Sequence, residues 1–216
     1  MDALYFTPPE QDLDTLLGRV RSCALCAAHL PLGPRPVLQA GRSARILIAG
    51  QAPGRKVHAS GIPFDDASGR RLRAWLGLTP AQFYDPHLVA LVPMGFCYPG
   101  TGTSGDLPPR PECAPTWRQP LLERMPQVAL TIVLGQYALA WHLPWAPRNI
   151  TQMVEQLRGK GLAELPDTIV LPHPSPRNNG WLRRHPWLEA QVLPLLRQRV
   201  ARLLASPACP TAPDGG

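Results

Sequence analysis

Four cysteines in this sequence have the number and spacing of ligands for a metal centre. Cys23 and Cys26 form a C-x2-C pair, and Cys97 and Cys113 follow within one stretch rich in glycine and proline. Four thiolates hold either a tetrahedral zinc or a cubane iron–sulfur cluster. Zinc ribbons usually carry two C-x2-C pairs, whereas this chain carries one, and buried free thiols are the remaining interpretation. The spacing alone therefore predicts a metal site without choosing its metal.

The rest of the cysteine pattern argues against disulfides. The first residues lack the basic and apolar regions of a secretion signal, so the expected compartment is the cytoplasm, where thiols stay reduced. The fifth cysteine, Cys209, lies in a tail at 206–216 that is rich in proline, alanine and glycine and that we expect to be disordered. We therefore assign residues 1–205 to the folded domain and expect Cys209 to take no part in the metal site.

A glycine-rich loop follows the apolar run RILIAG. Its residues are Gly50, Gln51, Ala52, Pro53 and Gly54. Glycine lets a ligand come close to backbone N–H groups, so the loop suits the binding of a small polar group. The loop lacks the G-K-[ST] ending of a phosphate loop, and a plain turn out of a strand is the alternative interpretation.

Two adjacent carboxylates follow an aromatic residue in the segment PFDDASG. Phe64 can stack on a planar ligand, and Asp65 or Asp66 can orient a water molecule. The alternative is that Asp66 or Ser68 caps the helix that follows, and the spacing alone favours the cap.

A histidine and several polar residues lie in the proline-rich loop PHPSPRNN. His173 follows an apolar run, and the prolines on either side restrict the backbone, so its ring is well placed to donate a hydrogen bond. Arg177 and Asn178, together with Ser175, suit contacts to phosphate groups. A packed surface loop is the alternative interpretation.

Short apolar runs that alternate with helical patterns predict the scaffold behind these loops. The runs at 45–50, 88–93, 128–134 and 168–171 are typical of buried parallel strands. Their alternation with helices predicts an α/β fold: one three-layer domain with a central, mostly parallel four-stranded sheet flanked by helices. Ligands bind beyond the carboxyl ends of such strands. The loops that leave those ends should converge on one site, and they lie at 50–69, 95–115 and 172–181.

Two helices near the ends of the domain have recognisable signals. The segment Thr7–Glu10 is typical of a capping box, and the leucines that follow have helical spacing up to the first cysteine. Residues 186–205 predict a long helix that Pro194 can kink.

The charge of the chain favours an anionic partner. Among 216 residues, 22 are lysine or arginine and 15 are aspartate or glutamate, which gives a formal net charge of +7. A basic balance indicates nucleic acid first and a membrane surface second, although the basic residues form no block. No apolar run reaches the ~18 residues that cross a bilayer, so no membrane span is expected.

Taken together, the motifs resemble those of the uracil-DNA glycosylase superfamily over roughly residues 16–200. GQAPG is similar to the first motif of that superfamily, and HPSPRN is similar to the second. The cysteine layout resembles the thermophile-type, iron–sulfur branch, whose four cysteines hold a [4Fe–4S] cluster. The resemblance implies that role for the four cysteines named above, with zinc as the alternative. HPSPRN followed by Asn179, Gly180 and Trp181 is similar to the single-strand-selective monofunctional branch.

The resemblance implies a monofunctional DNA glycosylase of base-excision repair. Such an enzyme flips uracil or another deaminated base out of DNA and hydrolyses its N-glycosidic bond. In this chain His173 would stabilise charge on the departing base, Phe64 would stack on it, and the backbone of 50–54 would help to hold it. The expected partner is DNA with deaminated bases, bound by a monomer associated with the nucleoid. A catalytically silent DNA-binding relative and a zinc-containing nucleic-acid-binding module are the alternatives.

Two departures from the family pattern bear on mechanism. Gln51 stands where the iron–sulfur branch has a glutamate, and an amide orients a water but cannot take its proton. Asp66, within DASG, resembles the aspartate of a related branch, so we favour it over Asp65 and Gln51 for orienting the water. Pro93 and its neighbours provide no amide where the superfamily has a base-reading asparagine. We therefore expect activity that extends beyond uracil to hypoxanthine or xanthine.

Overall fold

The computed structural model of this protein describes residues 12–103 and 105–205. The strands in those ranges are β1 (Ile46–Ala49), β2 (Val89–Leu91), β3 (Thr101–Gly102), β4 (Gly105–Asp106), β5 (Leu130–Leu134) and β6 (Thr168–Leu171). The α-helices are α1 (Leu13–Arg21), α2 (Arg55–Ser60), α3 (Ala67–Leu76), α4 (Pro80–Phe83), α5 (Cys113–Glu123), α6 (Gln136–His142), α7 (Ile150–Glu155), α8 (Asn179–Arg184) and α9 (Leu193–Ala205). The expected capping box at Thr7–Glu10 and the tail at 206–216, with Cys209, lie outside the described residues.

A four-stranded parallel sheet forms the centre of the molecule, in the order β2-β1-β5-β6. Ile46 of β1 lies in register with Val89 of β2 and with Leu130 of β5. Nearly every residue of these four strands is buried, because helices cover both faces of the sheet. The α/β fold and the four-stranded parallel sheet predicted from the apolar runs are confirmed.

Successive residues of β1 pack into different layers, as strand geometry requires. Ile46 and Ile48 belong to the apolar core that also contains residues of α3 and α9. Leu47 belongs to a second core, which it shares with α1 and α5. The sheet is therefore the middle of three layers, and α5 lies on the same side as the first cysteines.

The strand order places a topological switch point between β1 and β5. From β1 the chain crosses to β2 on one side, and from β5 it crosses to β6 on the other. Loops that leave the carboxyl ends of strands on either side of such a point diverge and leave a crevice between them. This is where the fold itself favours a ligand site.

Two loops contain elements that the sequence did not predict. Helix α2 lies inside the loop at 50–69 and ends at Gly61, whose φ of 74° is left-handed. The loop at 95–115 contains the antiparallel β3–β4 hairpin, in which Thr101 pairs with Asp106. Helix α2 has only six residues and each strand of the hairpin has two, so neither is long enough to show a periodic apolar pattern.

The helix expected at 186–205 is continuous over residues 187–205, and its first part is π-helical. A π-helical turn covers Leu188–Val192, and regular α9 starts only at Leu193. Pro194 has no N–H to donate within a helix, and a π turn before it accommodates that missing hydrogen bond. No helix in the described ranges is long and apolar enough to cross a membrane.

Candidate active site

A cavity of about 470 Å³ lies where the loops after β1, β2 and β6 meet. The predicted convergence of these loops is therefore seen in the structure. Eleven of the residues predicted for the site line the cavity: Gly50, Gln51, Ala52, Pro53, Gly54, Phe64, Asp66, His173, Ser175, Arg177 and Asn178. Asp65 does not line it; its side chain is exposed to solvent beside the cavity.

The ring of His173 has a defined hydrogen-bonding state. Its Nδ1 atom lies 3.2 Å from the backbone nitrogen of Ser175, which can only donate. Nδ1 must therefore accept, and the neutral ring carries its proton on Nε2. Burial lowers the pKa of His173 and outweighs the opposite effects of Asp66 and Asp106, while Arg177 lowers it further. The ring is thus a neutral imidazole whose Nε2–H is its donor for the cavity.

The loop that carries His173 holds its own shape through side chains. The Nδ2 group of Asn178 donates to the carbonyl oxygen of His173 at 2.7 Å. The hydroxyl of Ser175 accepts from the backbone N–H of Arg177 at 3.3 Å and caps the short turn that follows. Ser175 and Asn178 therefore position His173, in addition to lining the cavity.

Arg71, on α3, braces the same loop from outside. Its guanidinium donates to the carbonyl oxygens of Pro174 and Ser175, each at 3.2 Å, and to Oδ1 of Asn179 at 2.7 Å. Three hydrogen bonds from one planar group fix the position and orientation of the loop. The sequence analysis missed Arg71, because nothing in the run of arginines on α3 distinguishes the one that faces this loop.

Phe64 lies over the glycine-rich loop with an unusual backbone. A Cβ atom on Gly50 would lie 3.5 Å from the tip of the Phe64 ring, and the edge of the ring faces Phe83. The φ of Phe64 is 55°, which is costly for a bulky side chain. A Cβ atom on Gly69 would lie 1.8 Å from the Phe64 carbonyl oxygen, so only glycine fits there. Strained backbone of this kind is concentrated at functional sites.

Asp66 is the helix cap that the sequence spacing favoured, and it also lies at the cavity. It is the N-cap of α3, and its Oδ1 atom accepts from the backbone N–H of Gly69 at 2.9 Å. Asp66 is also one of the residues that line the cavity. The cap fixes the direction of the carboxylate, so the helix positions this group.

Gln51 joins the glycine-rich loop to the hairpin. Its Nε2 group donates to the carbonyl oxygen of Leu107 at 2.9 Å. The backbone carbonyls of Gly50 and Gln51 accept from the N–H groups of Met94 and Gly95, both at 2.9 Å. This bond uses one of the two Nε2 hydrogens, and the Oε1 oxygen can accept from a ligand or a water.

Asp106, at the end of β4, is a further carboxylate in the cavity wall. A Cβ atom on Gly54 would lie 3.3 Å from its Oδ2 atom, so the carboxylate abuts the glycine-rich loop. The side chain of Arg177 passes beside Gly105 in the same hairpin, where an added Cβ would lie 1.9 Å from the guanidinium. Lys56 also lines the cavity. The sequence analysis missed Asp106, since no motif marks the hairpin.

All four predicted cysteine ligands line one second, small cavity: Cys23, Cys26, Cys97 and Cys113. Two of their sulfur atoms receive hydrogen bonds from nitrogen. The indole Nε1 of Trp117 lies 3.3 Å from Cys23 Sγ, and the backbone nitrogen of Phe96 lies 3.4 Å from Cys113 Sγ. Residues far apart in the chain therefore bring their thiols to one place.

Burial raises the pKa of three of these thiols. It raises the pKa of Cys97, and it raises the pKa of Cys113 to about 12. The Cys26 thiol donates to Glu112 Oε2 at 3.8 Å, and burial together with that carboxylate raises its pKa. A thiol must lose its proton before it can bind a metal. In the described ranges, no three His, Cys, Asp or Glu side chains are gathered closely enough to hold a single metal ion.

A buried arginine on α5 binds the segment that contains Pro93. Arg118, on α5 one turn after Cys113, is fully buried and donates to the carbonyl oxygens of Val92 and Pro93. It also contacts Nε2 of His142 at 2.7 Å. Since the guanidinium can only donate, His142 must accept through Nε2. Helix α5 therefore supports the segment that ends at Pro93, a residue of the larger cavity.

A family model of the uracil DNA glycosylase superfamily matches residues 38–197 of the chain. The matched range contains the whole parallel sheet and every residue of the larger cavity except Val37. It contains Cys97 and Cys113, whereas Cys23 and Cys26 precede it.

Proposed function

The chain belongs to the uracil DNA glycosylase superfamily, and we propose that it is a monofunctional DNA glycosylase that hydrolyses uracil or another deaminated base from DNA. The observation that carries the proposal is His173, a neutral ring with its Nε2–H available in the wall of a cavity large enough for a flipped base. The stacking residue Phe64 and the backbone of the glycine-rich loop line the same cavity.

The chemistry of base removal explains why a neutral donor is suitable. When the N-glycosidic bond breaks, its electron pair stays with the base and positive charge develops on the sugar. A hydrogen bond from His173 Nε2 stabilises the base as negative charge develops, and it needs no proton transfer. An anion near the sugar stabilises the positive charge and orients the attacking water; Asp66 and Asp106 are the acidic residues of the cavity wall.

The polar rim of the cavity suits a DNA backbone. Arg177, Lys56 and Asn178 lie among the cavity residues, and the chain as a whole has a net charge of +7. Cations close to the strand supply affinity that does not depend on sequence. We infer that the protein binds DNA with the flipped base in the cavity and acts as a monomer where its substrate lies, at the nucleoid.

The second cavity fits an iron–sulfur cluster. Four thiols line it, and N–H donors already point at two of the sulfurs, an arrangement that tunes cluster thiolates. The preference for a cluster over zinc rests on the resemblance of the cysteine layout to the iron–sulfur branch. When bound, it would tie residues 23–26 to the segment 97–113, a structural role.

The base preference follows from what the cavity lacks. Pro93 lines the cavity where an asparagine would read the base, and it offers neither a side-chain amide nor an N–H group. A buried site rejects a wrong base strongly only when specific polar groups would be left unpaired. We therefore propose that the enzyme also removes hypoxanthine or xanthine.

The proposal is tested with oligonucleotides that carry uracil, hypoxanthine, xanthine, thymine mismatches or undamaged bases, both single- and double-stranded. Incubation followed by alkali cleavage should yield strand breaks at the deaminated bases. Removal of uracil alone would contradict the relaxed preference. DNA binding with no base released from any substrate would indicate a catalytically silent relative. Iron content and visible absorption of freshly purified protein separate a cluster from zinc.

A further inference from the structure

Asp106 is a carboxylate of the cavity that the sequence motifs do not include. We propose that Asp106 holds the attacking water and accepts its proton, a role that rests on the glycosylase function proposed above. The sequence offers three candidates for orienting this water: Asp66, Asp65 and Gln51. In the structure each of them is less suitable than Asp106.

Asp65 and Gln51 are the weaker candidates. The side chain of Asp65 is exposed and lies outside the cavity lining. Gln51 uses its amide donor to bind Leu107, and an amide has no site that takes a proton from water at neutral pH. Gln51 can help to orient a water through Oε1, but the proton must go elsewhere.

Asp66 is already committed to a helix. Its Oδ1 atom accepts the Gly69 N–H, and its charge stands at the N-terminus of the ten-residue helix α3. One oxygen of this carboxylate is therefore occupied by the backbone, although its charge still acts on the sugar.

The carboxylate of Asp106 is held by a longer hydrogen bond than that of Asp66. The hydroxyl of Thr101 donates to its Oδ1 atom at 3.5 Å, the limit of a hydrogen bond. The ion pairs found in residues 12–103 and 105–205 are Arg110–Glu112 and Arg199–Asp167, and neither includes Asp106. Its carboxylate oxygens can therefore accept further hydrogen bonds, including those of a water.

The hairpin holds Asp106 in place from several directions. The backbone N–H of Leu107 donates to the Gly100 carbonyl at 2.8 Å, and the Leu107 carbonyl accepts from Gln51. Arg177 packs against Gly105, whose φ of 135° requires glycine. Asp106 is thus fixed between the two loops that carry the family motifs.

The reaction step balances as follows. The oxygen of the water forms a bond to C1′ of the sugar while the C1′–N bond to the base breaks. The electron pair of the broken bond leaves with the base, whose charge is stabilised by the His173 hydrogen bond, and one water proton passes to the Asp106 carboxylate. The base anion then takes up a proton from solvent and Asp106 releases its proton to solvent, so the products are the neutral free base and an abasic site. No oxidant, reductant or further reactant is consumed.

The test compares single-turnover rates of Asp106→Asn and Asp66→Asn on a uracil oligonucleotide. General-base catalysis contributes about 10²–10⁴-fold, so Asp106→Asn should lose at least ~100-fold. Asp66→Asn should lose less, because asparagine also caps helices well. Asp14→Asn, an exposed residue on α1, is the control for loss of one negative charge. Affinity for DNA with an uncleavable 2′-fluoro nucleotide should not fall in Asp106→Asn.

A second variant separates chemistry from folding. Asp106→Ala leaves a space for a small carboxylate, so added formate should restore part of the rate, and formate should not accelerate Asp66→Ala. A rate for Asp106→Asn within threefold of wild type, or no effect of formate on Asp106→Ala, would overturn the assignment of Asp106 as the base. The glycosylase function would still hold in that case, provided that the wild type is active. If the wild type releases no base from any oligonucleotide, the glycosylase function itself fails.

Discussion

Replacement of His173 by asparagine separates its two hydrogen bonds. The ring accepts from the Ser175 N–H through Nδ1 at 3.2 Å and has its second nitrogen, Nε2, as a donor. The Oδ1 atom of asparagine occupies nearly the position of Nδ1, so the bond to Ser175 survives. The shorter side chain cannot reach the place of Nε2. His173→Asn should therefore keep the loop and lose only the donor.

The expected loss is large enough to measure easily. Removing one preorganised donor to a developing anion costs about 10²–10³-fold in rate, or ~3–4 kcal/mol of transition-state stabilisation. His173→Ala also leaves the Ser175 N–H without its acceptor, which should lower the free energy of unfolding by a further ~1 kcal/mol in this half-buried loop. The two variants should then show similar rates but different stabilities.

The assay is single-turnover cleavage with enzyme in excess, accompanied by urea unfolding of each variant. Burial lowers the pKa of His173, and the neutral ring already carries the Nε2 proton. The wild-type rate should therefore not fall as pH rises from 6 to 8 on account of this ring. An unchanged rate in His173→Asn would refute the role of the donor, and a rate that fell with loss of ring charge would refute the neutral mechanism.

Three further predictions follow from the same structure. Cys97→Ala should abolish the visible absorption and iron content of freshly purified protein while Cys209→Ala leaves both unchanged; a retained cluster in the first variant would exclude Cys97 as a ligand. Arg177→Ala should weaken DNA binding and reduce the slope of log affinity against log salt by about 1, as titrations at several salt concentrations can show; an unchanged slope would place this side chain away from phosphate. Burial, and the nearby Arg118, lower the pKa of His142 from 6.5 to about 4, so the unfolded chain takes up a proton before the folded one does as the pH falls. The free energy of unfolding should therefore drop by roughly 2 kcal/mol between pH 7 and pH 5 from this group. His142→Gln should remove that part of the pH dependence, since its amide oxygen can still accept from Arg118. An equal change in the free energy of unfolding with pH for both proteins would contradict the prediction.

The scaffold was predictable because its signals are local. The apolar runs at 45–50, 88–93, 128–134 and 168–171 need helices on both faces, and alternation with helical patterns leaves a parallel sheet as the simplest solution. The rule that ligands bind at the carboxyl ends of such strands then predicted that three loops would meet. His173, Phe64 and Asp66 could be selected from the sequence because each lies in a short motif within one of these loops.

Tertiary structure alone decided the groups that act across the chain. Asp106 lies in a hairpin without apolar periodicity, and only folding brings it to the cavity beside Gly54. Arg71 is one of several arginines on α3, and its partners on the His173 loop are more than 100 residues away. Sequence patterns record which residue types recur at short range, whereas the direction of a side chain depends on packing between distant elements. The sequence by itself thus predicted the fold and the loop that carries His173, and the packing of the hairpin and α3 against that loop decided which charged groups surround the histidine.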